Sequence, residues 1–293
     1  MSAPARVSVI GGGRMGAGIA HAFLLAGSHV AVVERDAPSA QAARDRILAS
    51  VETSVERGAD RPDAARLVVT TDWDALRGSQ LAIEAVPEQL DQKLTALRRA
   101  EELLDDDATL ATNTSSLSID VLAGSLERPA AFLGMHFFNP VPASALVEVV
   151  RGTATSPAIV ERARDWVAAL GKTPVVVRDS PGFASSRLGV LLGLEAIRMV
   201  EEGVAAPEDV DAAMVLGYRH PVGPLRLTDI VGLDVRLDIA DYLHQTLGER
   251  FRPPELLRRM VAEGRLGRKS GSGFYEWPGT EGPSSGGAPG RPR

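Results

Sequence analysis

Cysteine is absent from all 293 residues. Disulfides, thiolate catalysis and cysteine-based metal sites are excluded together, which leaves only histidine and carboxylates as ligands, and no metal is expected. Aromatic residues make up only 4%, and no basic stripe runs through a chain of formal charge −6, so nucleic acid is not expected as a partner. No apolar run approaches the roughly 20 residues that a membrane helix needs, so no membrane partner is expected. The opening Met-Ser-Ala-Pro-Ala-Arg lacks the form of a signal peptide, because the apolar run behind it is broken by glycines. A cytoplasmic location is therefore expected. What remains is the composition of a globular chain, long enough for two domains that each bury a core.

The first stretch with chemical content follows the apolar strand Val7-Ser8-Val9-Ile10. It reads Gly11-Gly12-Gly13-Arg14-Met15-Gly16 and leads into a helical pattern over 17–24. This is G-x-G-x-x-G between a strand and a helix. Gly11 allows the tight turn, Gly13 lets the backbone approach a pyrophosphate, and Gly16 lets helix and strand pack closely. A second strand, His29-Val30-Ala31-Val32-Val33, ends in Glu34, the acidic residue expected to take ribose hydroxyls. A carboxylate there repels a 2′-phosphate, so NAD is favoured over NADP, with Arg35 next door as the opposing charge.

Strands and helices go on alternating through 37–57, 67–70, 81–86, 89–104 and 109–112, the pattern of a parallel sheet. Ser50 and Arg57 fall on the polar face of the first of these helices and read by themselves as solvated surface. Pro87-Glu88 and Asn113-Thr114-Ser115-Ser116 each follow the C-terminal end of a strand, where open α/β sheets bind ligands. For the serines, a helix cap and a ligand-facing hydroxyl are both open.

Residues 135–150 carry the most specific signal. His136 stands at the end of one apolar run, and Glu148 lies inside the next, Ala145-Leu146-Val147-Glu148-Val149-Val150. A carboxylate in so apolar a segment is costly unless a partner meets it, and His136 is the candidate. An imidazole held by a carboxylate through one nitrogen, with the other facing a pocket, is an arrangement for moving a proton near neutral pH. The remaining histidines read as structural or surface residues.

Beyond residue 179 the pattern becomes purely helical, over 187–202, 207–217, 225–247 and 254–263. This predicts an α/β Rossmann-like N-terminal domain over 1–179 and an all-α C-terminal domain over 180–277. The apolar first helix of the second domain has little polar face and is expected to be covered on several sides, including by a second subunit. Residues 278–293, rich in Gly, Pro and Ser, are expected to be disordered.

Taken together, these motifs resemble the 3-hydroxyacyl-CoA dehydrogenase family, of the short 3-hydroxybutyryl-CoA dehydrogenase type. The likeness covers residues 6–277. It rests on the glycine-rich run, Asn113-Thr114-Ser115-Ser116-Leu117, His136-Phe137-Phe138-Asn139-Pro140-Val141-Pro142 with Glu148 twelve residues after the histidine, Ser180-Pro181-Gly182-Phe183, Gly223-Pro224-Leu225 with Asp229, and Gly267-Arg268-Lys269-Ser270-Gly271.

The resemblance implies NAD-linked oxidation of the 3-hydroxyl of an acyl-CoA by a homodimer, with His136 as base and Glu148 orienting it. It places Ser115 at the substrate oxygen and Asn139 near the nicotinamide. To the cofactor it assigns Gly11, Gly13, Arg14, Met15, Gly16, Glu34, Glu88, Lys93, Asn113 and Lys269. Ser50 and Arg57 go to the CoA portion, reversing the surface reading. In two places the chain departs from the family pattern. Ser186 stands where the family has an asparagine beside the substrate, and Ala145 where lysine is common. Two rivals remain open at this point: a dehydrogenase of a free or carrier-bound 3-hydroxy acid, and a non-catalytic NAD-binding dimer.

Overall fold

The apolar runs of the first half pair into one eight-stranded sheet. Its strands are β1 (Arg6–Ile10), β2 (His29–Val33), β3 (Leu67–Thr70), β4 (Leu81–Glu84), β5 (Thr109–Thr112), β6 (Phe132–Phe137), β7 (Leu146–Arg151) and β8 (Thr173–Arg178), in the order β3-β2-β1-β4-β5-β6-β7-β8. The computed structural model describes residues 2–278; of the tail expected to be disordered, 279–293 lie outside the described residues. Helices α1 (Arg14–Leu25), α2 (Ala37–Glu56), α3 (Leu90–Glu101), α4 (Ile119–Ala123) and α5 (Pro157–Ala169) complete the alternation. Strands β4, β5 and β6 are buried along their whole length, as expected of strands covered on both faces. Polar side chains start several helices: Asp36 accepts from Ser39 N at α2, and Ser156 from Ile159 N at α5.

Strand order reverses between β1 and β4, so the C-terminal ends of these two strands flank the switch point where open α/β sheets bind ligands. One pairing departs from the parallel sheet read from the sequence: β7 runs antiparallel to β6. The connector, residues 138–145, is too short for the dozen or so residues that a parallel crossover needs. Its consequence is chemical, because the register sets His136 directly opposite Glu148.

The chain divides into two compact units between Phe183 and Ala184. The second is helical, with α6 (Ser185–Glu201), α7 (Pro207–Tyr218), α8 (Pro224–Val231), α9 (Leu233–Leu247) and α10 (Glu255–Ala262) around a core that includes Val190, Leu194, Leu225, Leu243 and Leu257. The single helix expected over 225–247 is in fact α8 and α9. Gly232 breaks it with φ +109°, a conformation no helix can carry through. Asp229, fully buried at the end of α8, accepts from Phe274 N, Tyr275 N and Trp277 Nε1 and so ties the last described segment to the helices. On α6, Val190, Leu194 and Ile197 are buried, while Leu188 is 68% exposed.

Candidate active site

The glycine-rich turn is built by steric exclusion. Gly11 has φ +92°, and a Cβ there would lie 2.9 Å from the Ala85 carbonyl oxygen, across the switch point. A Cβ on Gly16 would fall 1.8 Å from the Gly11 oxygen, so the first turn of α1 is pressed against the loop. Gly12, which the motif leaves unassigned, is needed as well, since its Cβ would stand 2.3 Å from Ala43 Cβ of α2. Gly13 has nothing within 4 Å of the same point. The loop's crest is therefore open at a helix N-terminus, where backbone N–H groups and the helix dipole favour an anion.

Glu34 closes the other side of this hollow. Its carboxylate accepts from Gly12 N at 2.6 Å and from Arg35 N at 3.1 Å, which fixes its orientation while leaving lone pairs for ribose hydroxyls. A cavity of about 730 Å³ is lined by Gly13, Arg14, Met15, Glu34, Trp73 and Pro87, among others. Arg46, not singled out by sequence, also lines it and donates from Nη1 to the Gly12 carbonyl at 3.1 Å. The open glycine crest, the oriented carboxylate and a cleft of this volume fit a dinucleotide.

At the ends of β4 and β5 lies a network that the sequence reading only half recovered. Glu84, fully buried, accepts from Lys93 Nζ at 2.8 and 3.0 Å, from Thr112 Oγ1 at 2.5 Å and from Val86 N at 2.7 Å. The signal was present: a glutamate inside Leu81-Ala82-Ile83-Glu84-Ala85-Val86 is as conspicuous as Glu148 in its own apolar run. Lys93 is itself buried, and its ammonium also meets the Val86 carbonyl and Glu88. The Lys93 ammonium is thus held by Glu84, the Val86 carbonyl and Glu88 together.

Glu88 passes this support to the serine loop. One of its carboxylate oxygens accepts from Thr114 Oγ1 at 2.6 Å, Ser115 N at 2.9 Å, Ser115 Oγ at 3.3 Å and both donors of Ser116. Asn113 links the loop to the next strand, its Oδ1 accepting from Phe137 N at 2.8 Å. Ser115 is thus held between the switch point and the histidine strand. Burial by itself would raise the Glu88 pKa, but the Lys93 charge and the hydrogen bonds from Thr114 and Ser115 outweigh it, and the carboxyl sits below its usual range. A depressed folded-state pKa contributes stability above the ordinary glutamate range and loses it as pH falls through the lowered value. The stability gap between wild type and Glu88→Gln is therefore expected to be largest near neutrality and to close on acidification, followed by thermal melts from pH 7 to 3. A gap that stayed constant would mean Glu88 does not act through its charge.

The histidine stands at the same edge. His136 Nδ1 lies 2.8 Å from Glu148 Oε2, with both side chains buried. The rings of Phe138 and Phe183 lie 4.4 and 5.7 Å from the imidazole centroid. With Nδ1 engaged, Nε2 is the nitrogen left for chemistry, and the carboxylate fixes that tautomer. Asn139 follows in the exposed turn after β6.

Not every assigned residue gathers here. Ser50 lies on α2 and Arg57 caps its C-terminal end; the Ser50 hydroxyl turns back to the Arg46 carbonyl, while Arg57 lines a separate hollow of about 520 Å³ with His21, Ser54 and Lys172. Ser186 and Lys269 belong to the helical unit, where Ser186 is in the first turn of α6 and Lys269 pairs with Asp234.

Comparison with known proteins gives the family. Residues 6–180 match the model of the 3-hydroxyacyl-CoA dehydrogenase NAD binding domain, and residues 182–277 match that family's C-terminal domain. A 3-hydroxybutyryl-CoA dehydrogenase of Mycobacterium tuberculosis is 44% identical over 93% of this chain and 98% of its own. A probable 3-hydroxybutyryl-CoA dehydrogenase of Deinococcus radiodurans is 42% identical over 93% and 100%. Among solved structures, (S)-3-hydroxybutyryl-CoA dehydrogenase PaaH1 from Ralstonia eutropha superposes with a TM-score of 0.88 at 36% identity, covering 94% of this chain and 99% of that one. On the match of both domain models and of these full-length relatives, the chain belongs to the 3-hydroxyacyl-CoA dehydrogenase family.

Proposed function

We propose that this protein is an NAD-dependent L-3-hydroxyacyl-CoA dehydrogenase, interconverting 3-hydroxyacyl-CoA and 3-oxoacyl-CoA with substrates of the 3-hydroxybutyryl-CoA kind. The observation that carries the reading is the buried Glu148 carboxylate on Nδ1 of His136, at the same edge of the sheet as the glycine-rich turn. In the oxidative direction His136 Nε2 takes the proton of the 3-hydroxyl as the bond from C3 to its hydrogen breaks. NAD, when bound, supplies the acceptor for that hydride. Glu148 holds the Nδ1 proton and stabilises the imidazolium, and in reduction the imidazolium returns the proton to oxygen. Ser115 is assigned a hydrogen bond to the substrate oxygen, Asn139 the nicotinamide side, and Ser186 the position the family gives to asparagine.

NADH absorbance on mixing the protein with acetoacetyl-CoA tests the reading, repeated with NADPH. Fast loss of NADH and a slower NADPH rate are expected, since Glu34 repels a 2′-phosphate. No turnover despite NADH binding would move the reading to a free or carrier-bound 3-hydroxy acid or to a binding protein. For the CoA portion, Arg57→Ala is expected to raise the acetoacetyl-CoA KM about 10-fold and leave NADH binding unchanged, the loss of one charge-assisted contact. An unchanged KM would remove Arg57 from the substrate. The same reading takes the protein as a cytoplasmic homodimer joined through the helical unit, where Leu188 is exposed on α6.

A further inference from the structure

The ladder that sets His136 opposite Glu148 is closed by a connector held from outside itself. Residues 138–145 run from β6 to β7 and contain Asn139, and among the hydrogen bonds that fix them are two from Lys172, in the turn between α5 and β8, and one from Thr173 at the start of β8. Lys172 Nζ donates to the Val141 carbonyl at 2.7 Å and to the Ser144 carbonyl at 2.5 Å, and Thr173 N donates to the Ala145 carbonyl at 2.6 Å. The connector is also pressed on α1. Val141 is 2% exposed, and a Cβ on Gly18 would lie 2.9 Å from its Cβ. The connector is thus held both by its packing on α1 and by the ammonium.

Two carbonyls taken by one cation fix both ends of the turn formed by residues 141–144. That turn joins Asn139 to β7, whose register sets Glu148 opposite His136. Burial pushes the Lys172 ammonium down from its ordinary pKa, so the site holds a charge at some cost.

We propose that Lys172 is a positioning residue for the dehydrogenase reaction: by holding the Val141 and Ser144 carbonyls, it sets the alignment of Asn139 and of the His136–Glu148 pair. This rests on the dehydrogenase reading above. It touches no reacting atom, so its effect should appear in turnover and leave NADH affinity unchanged. Displacement of a reacting geometry by about 1 Å costs on the order of 10²-fold in rate.

The test compares wild type, Lys172→Met and Lys172→Arg at a temperature where all three are folded by circular dichroism. With acetoacetyl-CoA and NADH, Lys172→Met is expected to lose roughly 10–100-fold in kcat, with NADH affinity within about 2-fold of wild type. Its primary isotope effect with NADH deuterated at the transferred position is expected to rise, because hydride transfer becomes the slow step. Lys172→Arg, which keeps a charged donor, is expected to recover most of the rate. A methionine variant with wild-type kcat and isotope effect but a lower Tm would overturn the proposal, leaving Lys172 a role in stability alone. Wild type inactive on acetoacetyl-CoA would count against the dehydrogenase reading instead. Lys172 is then judged by the His136 Nδ1 proton resonance in 15N-labelled protein: a shift in Lys172→Met supports its positioning role, and an unmoved signal ends it.

Discussion

Replacing His136 by Ala is expected to cut turnover with acetoacetyl-CoA by about 10²–10⁴-fold while NADH still binds. The imidazole is a group able to accept and return a proton, and Glu148 holds it through Nδ1 at 2.8 Å. Glu148→Gln is expected to lose much of the same factor, since an amide neither fixes the tautomer as firmly nor balances the imidazolium. Because the two act as one unit, the double substitution should cost little more than His136→Ala alone. Rates measured for both single variants and the double one decide this. Full additivity would mean that Glu148 acts independently of the histidine, and a His136→Ala variant near wild-type rate would remove the histidine from the chemistry.

The second large effect lies at the buried pair of Lys93 and Glu84. Lys93→Met leaves the Glu84 carboxylate fully buried, with Thr112 and Val86 N but without its cation. Breaking a buried pair by removing one partner typically costs about 3–5 kcal/mol, a fall in melting temperature of roughly 10 °C for a unit of this size. Glu84→Gln should cost a similar amount from the other side, and the pair replaced together should be more stable than either single variant, which thermal melts would show. If Lys93→Met melted within a degree or two of wild type, the ammonium would not be a strut of the fold. Activity should fall in the same variant, because Glu88 would lose Lys93 while still holding the Ser115 loop.

Much of this architecture was legible in the chain. The glycine-rich turn announces itself because only glycine survives where a Cβ would strike the Ala85 carbonyl or the Gly11 oxygen. His136 and Glu148 were recoverable because a carboxylate in an apolar run is costly alone, so it points to its own partner. The same rule would have exposed Glu84. Read next to Lys93, it would have pointed to the buried ion pair between them.

What the sequence by itself determined is the set of elements and the chemical identity of the groups: periodicity fixes strands and helices, and charge misplaced among apolar residues marks the pairs. The tertiary structure alone decided strand direction, the break at Gly232 and the partners of each charge. Hydrophobic pattern records how a segment faces its surroundings and says nothing of which way its neighbour runs. Hydrogen-bond partners 28 residues apart, such as Thr112 and Glu84, are brought together only when the sheet closes.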